Sequence, residues 1–124
     1  MLSIGLCRDS RRTAAACKHF DKIYGDEFYL YEALSSDEIL GSILFEVKSS
    51  LVETVGYSGP QGDFALFDGL IRAGLNYAEM HGIEAGSIPE PFRQEHHALF
   101  ARLNYPPQTV FNIVNFFGKY KNCR

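Results

Sequence analysis

Phe64-Ala65-Leu66-Phe67-Asp68-Gly69-Leu70-Ile71-Arg72-Ala73-Gly74-Leu75-Asn76-Tyr77-Ala78-Glu79-Met80-His81-Gly82-Ile83 reads as one long helix around which the other segments can be arranged. Its polar side chains fall at Asp68, Arg72, Asn76 and Glu79, which a 3.6-residue period gathers into one narrow solvated stripe. Phe64, Leu66, Phe67, Leu70, Ile71, Leu75, Tyr77, Ala78 and Met80 cover most of the remaining circumference. A helix this apolar is packed on more than one side. Asp68 and Arg72 form an i,i+4 pair that contributes about 0.2–0.5 kcal/mol.

The helix has legible ends. Asp63 stands in the N-cap position, and Gly82 follows His81 where a left-handed residue belongs. Just before it, Ser58-Gly59-Pro60-Gln61-Gly62 is a turn-rich junction between a strand and the helix. Such a junction directs backbone N–H groups and the positive end of the helix dipole outward, where an anion can be held; an ordinary loop has the same composition.

A chain of 124 residues, 46% apolar and 22% charged, is one globular domain with enough material for a core. A net charge of −3 gives no electrostatic footprint for nucleic acid or an anionic membrane. No apolar run approaches the ~20 residues of a membrane span, and no signal-peptide layout opens the sequence. Cys7, Cys17 and Cys123 are odd in number and scattered. They form neither a disulfide framework nor a CxxC metal pattern, so no metal is expected and a reducing, cytoplasmic setting fits.

In order, the pattern predicts a strand over 2–7 and a helix over 10–24, capped by Asp9 or Ser10 and ended by Gly25. Ala14, Cys17, Phe20 (or Asp21) and Tyr24 lie on its inner face, which makes Cys17 a core thiol. Three strands follow over 28–34, 39–47 and 51–58, and their short polar turns argue for an antiparallel meander. Gly56 marks a bulge or a close backbone approach. After the helix over 64–81 come a strand over 83–88, a helix over 91–103 with Pro91 in its first turn, a strand over 109–114 and a tail over 115–124. Strand 83–88 returns parallel to strand 51–58 by a crossover. Phe92, His96, Leu99 and Leu103 share one inward face.

This order resembles the GNAT superfamily of N-acetyltransferases over nearly the whole chain. Ile39-Leu40-Gly41-Ser42-Ile43-Leu44-Phe45 is similar to the family's strand with an internal glycine. Leu70 through Ile83 looks like its central helix ending in His-Gly-Ile, and Leu99-Phe100-Ala101-Arg102-Leu103-Asn104-Tyr105 resembles its L-Y-x-x-L-G-F helix exit. The resemblance implies an α+β fold of three layers: a mixed, mostly antiparallel twisted sheet with a central helix packed on it and flanking helices. It also implies acetyl-CoA or another acyl-CoA as cofactor and a small-molecule amine as acceptor.

Two departures follow from the same resemblance. The family's pyrophosphate loop, Gln/Arg-x-x-Gly-x-Gly/Ala, falls here on Gly62-Asp63-Phe64-Ala65-Leu66-Phe67, and starting at Gly59 instead leaves Phe64 in the last position. Neither register restores it: the Phe67 benzyl group is expected to fill space needed by phosphate oxygens, and Asp63 adds negative charge. Cofactor contacts are therefore expected from Tyr57, Gly59, Gly62, Asp63, Phe64 and Ala65. The tyrosine that the family often uses to protonate the thiolate is Phe100, leaving Tyr105 or Tyr57 as substitutes. Glu53 is the only carboxylate on the strand before the loop, so it is the candidate general base; a solvated strand glutamate is the plainer reading. His96 and His97 point about 100° apart and cannot share an ion, which gives His96 a structural role.

Three functions fit these readings. One is a divergent N-acyltransferase moving an acyl group from a CoA thioester to an amine. Another is a GNAT-fold binding or dimerisation module without cofactor, using exposed Phe111, Phe116, Phe117 and Tyr120 at a partner or homodimer interface. A third makes Cys123 a reactive tail thiol, which needs a lowered pKa.

Overall fold

The computed structural model describes the backbone of residues 2–121 and the side chains of residues 2–117. Cys123 and the Tyr120 side chain lie outside the described residues. Six strands, β1 (Leu2–Leu6), β2 (Phe28–Ser35), β3 (Glu38–Lys48), β4 (Leu51–Ser58), β5 (Ala85–Ser87) and β6 (Val110–Asn112), form one sheet in sequence order. Every neighbouring pair is antiparallel except β4 and β5, which are parallel. The crossover between those two carries the central helix α2 (Phe64–Met80). This is the predicted three-layer α+β fold. Among the described residues no helix is long and apolar enough to cross a membrane.

The sheet separates two cores. On one face, Cys17 of α1 (Ser10–His19) packs with Phe28, Leu30 and Leu44. On the other face, Leu66, Phe67, Leu70, Ile71, Leu75 and Ala78 of α2 bury against Ile43, Phe45, Val52 and Tyr57. Asp63 caps α2 by accepting from Leu66 N–H at 3.0 Å, and Gly82 takes φ 89° at its other end, as the sequence indicated.

Helix α1 ends five residues before the predicted boundary. Asp21, with φ 58°, takes the left-handed position expected of Gly25, and Lys22 N–H returns to Cys17 O at 2.7 Å. That Schellman-type closure satisfies the last carbonyls, and aspartate tolerates the conformation better than most residues. Tyr24 is consequently exposed instead of buried. The predicted helix over 91–103 is two helices, α3 (Glu90–Glu95) and α4 (His97–Leu103), separated by His96 at φ −115°, ψ 33°. Leu99 and Phe100 both donate to His96 O, so the second helix starts afresh there.

The C-terminal strand is also shorter than expected. β6 stops at Asn112, and Ile113–Lys121 form α5. Asn112 is the cause: its side-chain oxygen accepts from Asn115 N–H at 3.0 Å, an N-cap that overrides the strand preference of Ile113 and Val114. Phe116 and Phe117 are therefore buried, 4% and 7% exposed, and not the free aromatic surface the sequence suggested; Phe111 is partly buried against the same core. The first half of the stripe on α2, Asp68 and Arg72, is covered too, while Asn76 stays exposed. Tyr105 O–H donates to Asp68, and the Arg72 guanidinium lies 4.7 Å above the Phe117 ring while pairing with Asp68 at 2.9 Å.

Gly74 sets how closely α2 approaches the sheet. A Cβ there would stand 2.0 Å from Phe45 Cε2, and the Gly74 carbonyl accepts from Tyr29 O–H at 2.7 Å. Gly74→Ala removes a helix-weakening glycine but overpacks this contact, for a net loss of about 1–3 kcal/mol. Urea unfolding is expected to show a lower midpoint at unchanged slope; an unchanged or higher midpoint would mean that Phe45 can swing aside.

Candidate functional site at the junction of strand and central helix

Strand β4 pairs with β5 only at Leu51, Val52 and Glu53. Beyond Ser87 the chain turns away, with Ile88 N–H bonding Thr109 O, so the edge of residues 54–58 has no β5 partner. A bulge lies at the same place. Leu44 faces Gly56 while Phe45 faces Thr54, leaving Val55 as the extra residue. Val55 turns to the α1 side and Tyr57 to the α2 side. Phe20 packs so close that a Cβ on Gly56 would lie 2.4 Å from its ring, so the sequence signal at Gly56 reported both features.

The loop after β4 is braced from beneath and from the side. Tyr57, 4% exposed, donates its hydroxyl to Pro60 O at 2.8 Å. A Cβ on Gly59 would come within 2.6 Å of that hydroxyl oxygen, which makes glycine the residue that fits. Gln61 donates from Nε2 to Gly59 O at 3.5 Å and turns Oε1 to His96 Nδ1 at 2.9 Å. With the amide oxygen facing the ring, Nδ1 carries the hydrogen and Nε2 keeps a lone pair. Nε2 is buried and has no hydrogen-bond partner among the described residues; the Glu95 carboxylate is 3.9 Å away. Burial pushes the His96 pKa below its ordinary 6.5, opposed in part by Glu95. Burial, with a smaller contribution from Asp63, pushes the Tyr57 phenol up to about 12, so it keeps its proton at neutral pH.

The expected cofactor residues thus gather at one place. Tyr57 and Gly59 form the underside of the loop; Gly62, Asp63, Phe64 and Ala65 are exposed at its crest and at the first turn of α2. Nothing lies within 4 Å of a Cβ built on Gly62. Phe67 departs from expectation: it is fully buried against Tyr57 and Phe100 and fills none of the space above the loop. Arg102 of α4 lies 4.3 Å over the exposed Phe64 ring, bringing a cation to the helix N-terminus that the linear motif lacks.

The two catalytic candidates are not brought together. Glu53 pairs with Lys48 at 3.2 Å, in register with Glu46 near the β3–β4 turn. Tyr105 is buried among Phe100, Phe116 and Phe117, where its hydroxyl bonds Asp68. His96 and Arg102 are the residues that sequence reading left out of the site. The inward spacing of His96 was visible, but its partner Gln61, 35 positions away, was not. Only the packing of α4 on α2 shows Arg102.

No protein-family model and no curated protein matches the sequence. Solved structures match it in fold. The ribosomal-protein-S18-alanine N-acetyltransferase of Escherichia coli superposes with TM-score 0.64 at 13% identity, over 88% of this chain and 80% of that one. The fold is that of the GNAT acetyltransferases. An aminoglycoside acetyltransferase from an uncultured soil metagenomic sample gives TM-score 0.63 at 16% identity, over 86% and 89% of the two chains. A Bacillus subtilis acetyltransferase in complex with CoA gives 0.59 at 15%, over 87% and 78%.

A solved structure of this fold holds CoA, and the junction here has features that suit an anion. The N–H groups of Phe64 and Ala65 precede the first intrahelical bonds of α2, open space surrounds Gly62, and Arg102 supplies positive charge. Asp63 works against an anion, although its carboxylate is turned to the Leu66 amide.

The His96 pKa has a consequence for folding. A histidine whose folded pKa lies below the unfolded value is more protonated when unfolded, so its share of stability is complete above 6.5 and declines as pH falls below it. The urea midpoint is expected to drop on acidification below about pH 6.5, and less steeply in His96→Gln. Equal slopes in the two proteins would mean that His96 titrates normally.

Proposed function

We propose that this chain is a divergent N-acyltransferase that takes an acyl-CoA at the β4–α2 junction and acylates an amine. The observation carrying this reading is the unpaired β4 edge of residues 54–58 leading directly to the exposed first turn of α2. The structural neighbours, which include a ribosomal-protein-alanine N-acetyltransferase and an aminoglycoside acetyltransferase, support amine acylation as the reaction class.

In this reading the Phe64 and Ala65 amides and the Arg102 guanidinium hold phosphate oxygens. The β4 edge offers backbone donors and acceptors to an extended polar chain. The bound thioester supplies an activated acyl carbonyl. His96, neutral and with a lone pair on Nε2, is assigned as the base that receives the amine proton, in place of Glu53. Tyr57, which keeps its proton, is assigned as the donor that Phe100 cannot be.

A second reading, a GNAT-fold module without cofactor, has its own observation. Tyr57, Phe67, Phe92, His96 and Phe100 pack ring against ring beside the β4 edge, and the Gln61–His96 bond ties the loop to the α3–α4 segment. Insertion of a chain there has to displace that packing.

Isothermal titration with CoA and acetyl-CoA at low salt distinguishes them. Micromolar binding is expected, several-fold weaker in Arg102→Ala and tighter in Gly62→Arg, which restores the family's leading cation into open space. No heat at millimolar ligand would overturn the acyltransferase reading and leave the cofactor-free module.

A further inference from the structure

A cavity of about 370 Å³ lies at the other end of α2, roughly 25 Å along the helix from the loop just described. It opens where β1 ends, α1 begins and β2 begins, and α2 closes it with Tyr77 and His81. Its volume lies within the range of small-molecule sites.

The walls are aromatic and held in place. Tyr29 is fixed by its bond to Gly74 O, and burial keeps its phenol protonated. Tyr77 packs against Tyr29 at 4.9 Å between centroids and against His81 at 4.3 Å. The His81 ring is anchored through Nδ1 to Tyr77 O at 2.8 Å. Two opposite charges complete the lining: Arg8, just after β1, and Asp26, just before β2. Both are exposed, and neither forms an ion pair among the described residues, although Asp9, Arg11 and Arg12 nearby are all paired. Charges of opposite sign on one lining, without an ion pair among the described residues and beside preformed aromatic walls, match a ligand carrying both charges beside an apolar group.

We propose that this cavity binds a free α-amino acid with an aromatic or large apolar side chain. Arg8 takes the carboxylate, Asp26 takes the ammonium, and the side chain lies against Tyr29 and Tyr77. The assignment does not depend on the acyltransferase reading, because the cavity shares no residue with the loop or with His96. It gives the domain a second ligand site, at the far end of the helix from the first.

The test is amide NMR titration of the full chain with L-phenylalanine. A ligand of that size is expected to bind at roughly millimolar affinity. Shifts should centre on Arg8, Asp26, Tyr77 and His81, and N-acetyl-phenylalanine and phenylalanine amide, each of which lacks one charge, should bind about threefold to fivefold more weakly. Arg8→Gln and Asp26→Asn, at exposed positions where folding is unaffected, should each weaken binding about threefold to fivefold. The proposal is overturned if no shifts appear at tens of millimolar ligand or if they map to the β4–α2 junction. It is equally overturned if the singly charged analogues bind as well as the amino acid does.

Discussion

The contact on which the rest of this structure depends is that of Gly74 with Phe45 and Tyr29. It fixes the separation and rotation of α2 over the sheet, because the missing side chain lets the ring of a central strand meet the helix backbone directly. Once that seat is fixed, the two ends of α2 are fixed with it. Its N-terminus is delivered to the end of β4, and its C-terminus is laid over the start of β2. Both places where ligands are assigned are therefore products of one packing event, at opposite ends of one rigid helix.

Such an arrangement divides the molecule into a stiff centre and adaptable ends. The centre is two-sided burial about a six-stranded sheet, with Phe45, Ile43 and Leu44 fully buried on alternate faces of β3. At the ends, polar groups take over from apolar ones. Asp68, Arg72, Tyr105 and Phe117 join α2 to the C-terminal segment, and Gln61 and His96 join the loop to α3 and α4. These joints are made by single side chains, of which Tyr105, Phe117 and His96 are themselves buried.

Much of this was legible in the sequence wherever local pattern and tertiary demand coincide. The polar spacing of Asp68, Arg72, Asn76 and Glu79, the Asp63 cap, Gly82 and the three-strand meander all describe segments whose own chemistry favours the structure they adopt. The failures share one origin: polar residues that the hydrophobic pattern ignores set the backbone locally, Asn112 through a side-chain cap and Asp21 through a left-handed φ. Asp21 closed α1 ahead of Gly25, and Asn112 turned Ile113 and Val114 into a helix. His96 interrupted a run that the spacing of Phe92, Leu99 and Leu103 made continuous. Exposure of Phe116 and Phe117 was misjudged for the same reason, since a helix brings them back onto α2 where a strand carries them away. The site residues on the loop could be read because they are contiguous; Arg102 and His96 could not, because their meaning lies in what they touch.

The buried imidazole of His96 is where structure and chemistry press hardest on one another. A polar nitrogen enclosed by aromatic rings without a hydrogen bond is costly, on the order of 1–3 kcal/mol for an unsatisfied buried group. A purely structural residue at this position could be a phenylalanine, which would pack against Tyr57, Phe67 and Phe92 without that penalty. What histidine adds is Nδ1–H for Gln61, which orders the loop, and an Nε2 lone pair that burial keeps unprotonated while lowering its basicity. The first property alone would be met by other donors. The unpaired Nε2 distinguishes this junction, among the described residues, from the packed contacts around Gly74, where the Tyr29 hydroxyl bonds the Gly74 carbonyl.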